Sequence, residues 1–273
     1  MKAEFVSKLL STPFNLDPVR ARHILSHLAL SLLRNERPAE DICGDPLPKM
    51  QIAGPVAIIP IRGVVMMNVP DWIKSYGFNL TDANDIEEEV EEALEDPNVE
   101  IIVYDCDSPG GSSLAGDKLF DVTETANRKK KCFGFCADGC DMASTTYEAV
   151  ASCTALLAGW YAEGVGCIGS YLAMLDDTEF WAQLGIKWEI FRSGELKGIG
   201  EDSLSQVQKE YLQKLVDDAG NSFRKNVLKY RTAIDPADMR GQWFDGKAAA
   251  IHKFVAGNAD DLTAAIAKFR KMP

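Results

Sequence analysis

Residues 99–113 read VEIIVYDCDSPGGSS, a β-branched and aromatic run that ends in two acids and paired glycines. Such a run predicts a strand over 99–107 buried on both faces, followed by a tight turn. On its C-terminal side, SSLAGDKLFDVTETANR (112–128) predicts a helix, CFGFCADG (132–139) a strand and ASTTYEAVASC (143–153) a second helix. On its N-terminal side, VAIIPIRGVV (56–65) is another continuous apolar strand pattern. Between the two strands, DANDIEEEVEEALEDP (82–97) places Ile86, Val90, Ala93 and Leu94 on one helical face, with its acids turned to solvent. Alternation of this kind predicts parallel βαβ units in an α/β domain. Further strands are expected at TALLAG (154–159) and KWEIFRS (187–193). A long helix is expected over 203–231, opened by a capping box of Ser203 and Gln206 and carrying Leu204, Val207, Tyr211, Leu212 and Leu215 on one apolar face. Residues 1–50 read as an N-terminal helical extension and linker, with one helix over 17–35 begun by Asp17 and Pro18. Residues 51–273 read as the α/β domain with C-terminal helices.

The 273 residues carry a formal charge of −12, with an isoelectric point near 4.8. Nucleic-acid affinity rests on clustered Lys and Arg, so a nucleic-acid partner is not expected. The one basic cluster, Arg128 to Lys131, reads as a solvated helix end. The seven cysteines are scattered through apolar segments, which fits reduced, buried thiols. The series Cys132, Cys136 and Cys140 crosses a predicted strand and turn, so no metal is expected there. The longest N-terminal apolar run is interrupted by Ser26 and His27 and is far shorter than a membrane span. With no export signal evident, a cytoplasmic protein without a membrane anchor is expected.

Two stretches carry candidate chemistry. In SPGG (108–111) the glycines let the backbone turn and expose N–H groups to a developing oxyanion, although a plain glycine turn before a helix has the same pattern. In GCDMASTTYEAV (139–150), Ser144 stands at a helix start, where it is either an N-cap or a nucleophile. A nucleophilic serine needs a base. His23 and His27 belong to the N-terminal helix and His252 to a surface helix end, so a Ser-His-Asp triad has poor support. Lys197, in the glycine-flanked loop RSGELKGIG, is the other base available. Its amine, ordinarily at about 10.4, must be driven toward neutrality by burial at a cost of about 4 kcal/mol.

These stretches together resemble the signal-peptide peptidase A family of serine peptidases, which have the Clp-protease/crotonase fold of repeated ββα units. The resemblance runs over about 56–257 and lies in the order of its elements: a strand ending in SPGG, then ADGCDMAS (137–144), VGCIGSY (165–171), SGELKGIGED (193–202) before a long helix, and GQWFDGKAAAIHKFVAG (241–257). It implies a Ser-Lys dyad of Ser144 and Lys197, with the N–H of Gly111, together with Gly110, as the oxyanion hole. Peptide cleavage would then pass through an acyl-enzyme without metal or organic cofactor. It also implies a homo-oligomer.

The chain departs from the family pattern at two places. Thr145 and Thr146 follow the serine where the family has glycines, and their branched side chains are expected to narrow the adjacent pocket. Cys167 stands where a family serine helps to hold the lysine, a poorer hydrogen-bond partner for which Ser170 is the candidate substitute. The stretch LLSTPFNLDPVRARHIL (9–25) resembles the start of lambda-type phage head peptidases, the minor capsid protein C group. That implies cleavage of scaffold, capsid or portal proteins in a phage-infected or prophage-bearing cell. The alternatives are a soluble bacterial enzyme degrading signal peptides or unfolded chains, and a noncatalytic assembly subunit of the same fold. An acyl-CoA enzyme is disfavoured because the relevant loops lack an acidic pair.

Overall fold

A computed structural model describes residues 14–16, 47–74, 79–174, 176 and 178–272. The helix expected over 17–35, with His23 and His27, lies outside the described residues, as does Cys43. In chain order the elements are β1 (Phe14–Leu16), β2 (Gln51–Ala53), β3 (Val56–Met66), α1 (Asp71–Lys74), β4 (Leu80–Asp82), α2 (Ala83–Glu95), β5 (Ile101–Ser112) and α3 (Ser113–Asn127). They continue with β6 (Lys131–Cys136), β7 (Asp141–Ala143), α4 (Thr145–Val150), β8 (Ala155–Ala158), β9 (Gly164–Gly166), α5 (Thr178–Gln183) and α6 (Gln206–Tyr230). The chain closes with a 3-10 turn (Pro236–Asp238), β10 (Trp243–Phe244), α7 (Gly246–Ile251) and α8 (Leu262–Phe269). This is the expected α/β architecture.

Long apolar strands want cover on both faces, and β5 shows how the fold supplies it. One edge of β5 pairs in parallel with β3 along most of its length. The other edge is shared out. Residues 101–106 pair with β6, which leads to β8; Ser108 pairs with Met142 of β7, which leads to β9 and β10; and Gly110 to Ser112 pair with β1. The sheet therefore forks after Cys106. One branch buries Ile102, Tyr104, Cys106 and Cys132 beneath α2 and α3, and the other carries β7 and the start of α4. On the opposite face, α8 covers Val103, Phe133 and Phe135, with Phe269 stacked on Phe133 at 4.5 Å.

Several expectations are corrected. The SPGG stretch is not a loop: β5 runs on to Ser112, because β3 and β1 both give it partners there. Residues 187–193 form no strand and are mostly exposed. The N-cap of the long helix falls two residues later than expected, at Ser205, which forms its capping box with Gln208. In its first half Gln208 is buried, donating to the carbonyl of Glu195, while Val207, Tyr211 and Leu215 are exposed; apolar packing on the core begins at Gly220, Phe223 and Val227. Lys130 is not merely solvated. Its ammonium donates to the carbonyls of Ala93 and Asp96 at the C-terminal end of α2, where Pro97 has no N–H to offer Ala93.

Gly111 is fixed by this topology. A Cβ there would lie 1.8 Å from the carbonyl oxygen of Val65 on β3. Gly111→Ala must push the two strands apart, so it is expected to lower stability by about 1–3 kcal/mol, read as a lower urea midpoint at unchanged slope. An unchanged midpoint would mean that β3 and β5 are not this close at Gly111.

Candidate active site

Ser144 sits between β7 and α4 with φ 56 and ψ −123, a conformation that L residues rarely adopt. Such a backbone typically costs about 1–3 kcal/mol and persists only where its surroundings impose it. Here its N–H donates to the carbonyl of Gly166 at 2.7 Å, and its carbonyl accepts from the N–H of Glu148 at 2.9 Å. The residue is fully buried, and its Oγ has no hydrogen-bond partner among the described residues. An N-cap serine would spend that oxygen on the first helical amides, but no such side-chain bond is made. A strained turn that leaves a serine hydroxyl uncommitted is the arrangement a nucleophile requires.

The residues after Ser144 tie it to the end of β5. Thr145 Oγ1 donates toward the carbonyls of Gly111 at 3.1 Å and Ser112 at 3.3 Å. Thr146 Oγ1 lies 2.6 Å from Ser108 Oγ, which also accepts the N–H of Gly110 at 3.2 Å. Both threonines are fully buried and turned toward β5, so the expectation that they narrow a neighbouring pocket gives way to a structural role. Gly110, at φ 107, spends its N–H on Ser108, so an oxyanion would have to displace that long bond to use it.

Ser144 Oγ makes no hydrogen bond to Lys197. Lys197 lies exposed in the turn segment 194–200, its N–H donating to the carbonyl of Gly194. Cys167, partly buried at φ 53, follows the glycine whose carbonyl holds Ser144, and its own N–H donates to Gln242. Ser170 is half-buried three residues on. His252 is paired with Asp238 at 2.7 Å and stacked on Phe244, and Ser144 Oγ makes no bond to it.

Sequence reasoning missed Glu148, one turn after Ser144. It is almost fully buried, accepts from Asn226 at 2.9 Å and lies near Asp117, which accepts from Ser222 and Asn226 of α6. Burial, reinforced by the Asp117 charge and opposed by the Asn226 bond, pushes its carboxyl up to about 8. A lone Glu inside the buried-looking run TTYEAV was the available signal. Burial likewise raises the thiols, Cys132 to about 12 and Cys140 to about 11, with acids such as Asp107 adding to Cys140; neither is a ready thiolate.

Comparison with known proteins adds the following. Residues 141–272 match the model of peptidase family S49. A Methanocaldococcus jannaschii protein named "Putative protease MJ0651" is 29% identical over 138 residues, covering 50% of this chain and 43% of its own length. The chain thus spans less than half of that relative. Among solved structures, a variant of the 1510-N membrane-bound stomatin-specific protease aligns with TM-score 0.47 and 11% identity, over 83% of this chain and 87% of that one. An enoyl-CoA hydratase from Shewanella pealeana aligns with TM-score 0.44 and 13% identity, over 81% and 71%. Through residues 141–272, which include both Ser144 and Lys197, the chain is similar in sequence to peptidase family S49.

Proposed function

We propose that the protein is a serine endopeptidase in which Ser144 attacks the peptide carbonyl and Lys197 takes and returns the proton. The observation that carries this reading is the strained, buried Ser144 with an uncommitted Oγ, held beside the Gly110–Gly111 end of β5. The N–H of Gly111, with Gly110, supplies the oxyanion hole, and Cys167 and Ser170 are the candidates for holding the lysine. The chemistry needs no metal or organic cofactor. The segment that carries Lys197 also exposes Phe180, Trp188 and Phe191, and helix α6 exposes Val207, Tyr211 and Leu215. A homo-oligomer that covers these residues would remove water from Lys197, which is what an amine base needs. No helix among the described residues is long and apolar enough to cross a membrane. The resemblance of residues 9–25 to phage head peptidases supports, as substrates, scaffold, capsid or portal proteins in the cytoplasm of a phage-infected or prophage-bearing cell.

Intact-mass analysis after treatment with a fluorophosphonate tests the nucleophile. One adduct on Ser144 is expected in the wild type and none in Ser144→Ala. An adduct that persists in Ser144→Ala would remove Ser144 from the mechanism. A folded wild-type oligomer that never labels would favour the noncatalytic assembly subunit.

A further inference from the structure

We propose that the chain's own segment Phe14–Leu16 occupies the site's peptide-binding edge and gates Ser144. This inference rests on the serine-peptidase reading and concerns regulation of the same site.

The edge is defined by what β5 leaves unpaired. Its other side belongs to β3 as far as Gly111, while among the described residues β6 ends at Cys106 and β7 pairs with it only at Ser108. Beyond Ser108 a short backbone edge is open to an extended strand, and the element that takes it is β1. It pairs antiparallel, with Phe14 opposite Ser112, Asn15 opposite Gly111 and Leu16 opposite Gly110. Of these, Gly110 and Gly111 are proposed to receive the oxyanion, and Gly111 and Ser112 are tied through Thr145 to the turn that presents Ser144. A peptide presented to Ser144 must run in extended form past the same edge, because main-chain pairing holds a peptide whatever its side chains. Peptide and β1 therefore compete for one row of hydrogen-bonding groups. The segment acts as an internal pseudosubstrate: seated, it closes the site, and displaced, it opens it.

The test uses the full-length chain with Asn15→Pro and Leu16→Pro combined. Alternate residues of an antiparallel strand turn their N–H toward the partner, so two consecutive prolines must remove at least one ladder donor. Hydrogen–deuterium exchange reads the edge itself. Peptides spanning Gly110 to Ser112 are expected to exchange about tenfold more slowly in the wild type than in the variant, the scale of one or two lost ladder bonds. Equal exchange overturns the docking of β1. Fluorophosphonate labelling of Ser144 reads the gate, and the variant is expected to label about tenfold faster. A synthetic peptide of residues 11–20 should slow it again. Equal labelling of Ser144 in both proteins overturns the gate and leaves the peptidase reading standing. Absence of an adduct in both overturns the peptidase reading, and the gate with it, while the exchange difference still reports β1 on its edge.

Discussion

Replacing Ser144 by alanine is expected to lower kcat/KM for cleavage of an unfolded polypeptide by about 10,000-fold or more, leaving the urea midpoint unchanged or raised. The loss follows from chemistry: without Oγ no acyl-enzyme forms, and only binding and the oxyanion donors remain to assist water. The stability follows from geometry. Ser144 Oγ makes no hydrogen bond among the described residues, so its removal leaves none of them stranded and takes an unpaired polar atom out of the core. A catalytic collapse without a stability loss separates a nucleophile from a structural cap. The base is tested by the same measurement on Lys197→Ala and on the double variant. A nucleophile and its base act as one unit, so each single variant and the double should fall to nearly the same residual rate. Losses that multiply in the double variant would mean that Lys197 acts apart from Ser144. The exposed place of Lys197 makes the comparison most informative across protein concentration, because burial of its segment in an oligomer would tie the base to assembly.

Much of this site was legible as pattern. Continuous β-branched runs gave β3 and β5, and the acidic but periodic stretch after Asp82 gave α2, because burial on both faces and on one face leave different spacings in a sequence. Ser144 was legible as a residue between strand and helix. Its positive φ was not, since that strain is imposed by Gly166 and the turn of α4 rather than by local preference. The paired glycines misled because Pro109-Gly110-Gly111 is turn chemistry in isolation. Only partners 46 residues upstream on β3 and nearly 100 upstream on β1 make it strand. KWEIFRS misled in the opposite sense: its alternation suits a strand, but no neighbour among the described residues supplies a ladder. The apolar face of α6 was legible as a face, but Val207, Tyr211 and Leu215 on it are exposed, since periodicity cannot say what covers such a face.

Glu148→Gln is expected to flatten the dependence of stability on pH and to leave the variant the more stable protein at pH 8.5. In the folded chain Glu148 keeps its proton up to about pH 8, whereas the ordinary value for the carboxyl is 4.5. Between those values the folded protein holds a proton that the unfolded chain has released. Stability must therefore fall as pH rises through the window, by at most about 5 kcal/mol at roughly 1.4 kcal/mol per pH unit. Glutamine keeps the acceptor for Asn226 and a donor in place of the carboxyl proton, but it does not titrate, so this slope disappears. Urea unfolding at pH 5 and pH 8.5 makes the comparison. Glu89, whose carboxyl burial also raises, remains in both proteins, so any slope it contributes cancels in the difference. Parallel pH profiles for wild type and variant would show that Glu148 is already ionised at pH 5. The consequence reaches the site because Glu148 donates its backbone N–H to the carbonyl of Ser144. A charge forced into the core beside Asp117 loads the one turn of α4 that holds the serine in its strained conformation. Fluorophosphonate labelling of the wild type should therefore weaken above pH 8, while that of Glu148→Gln persists.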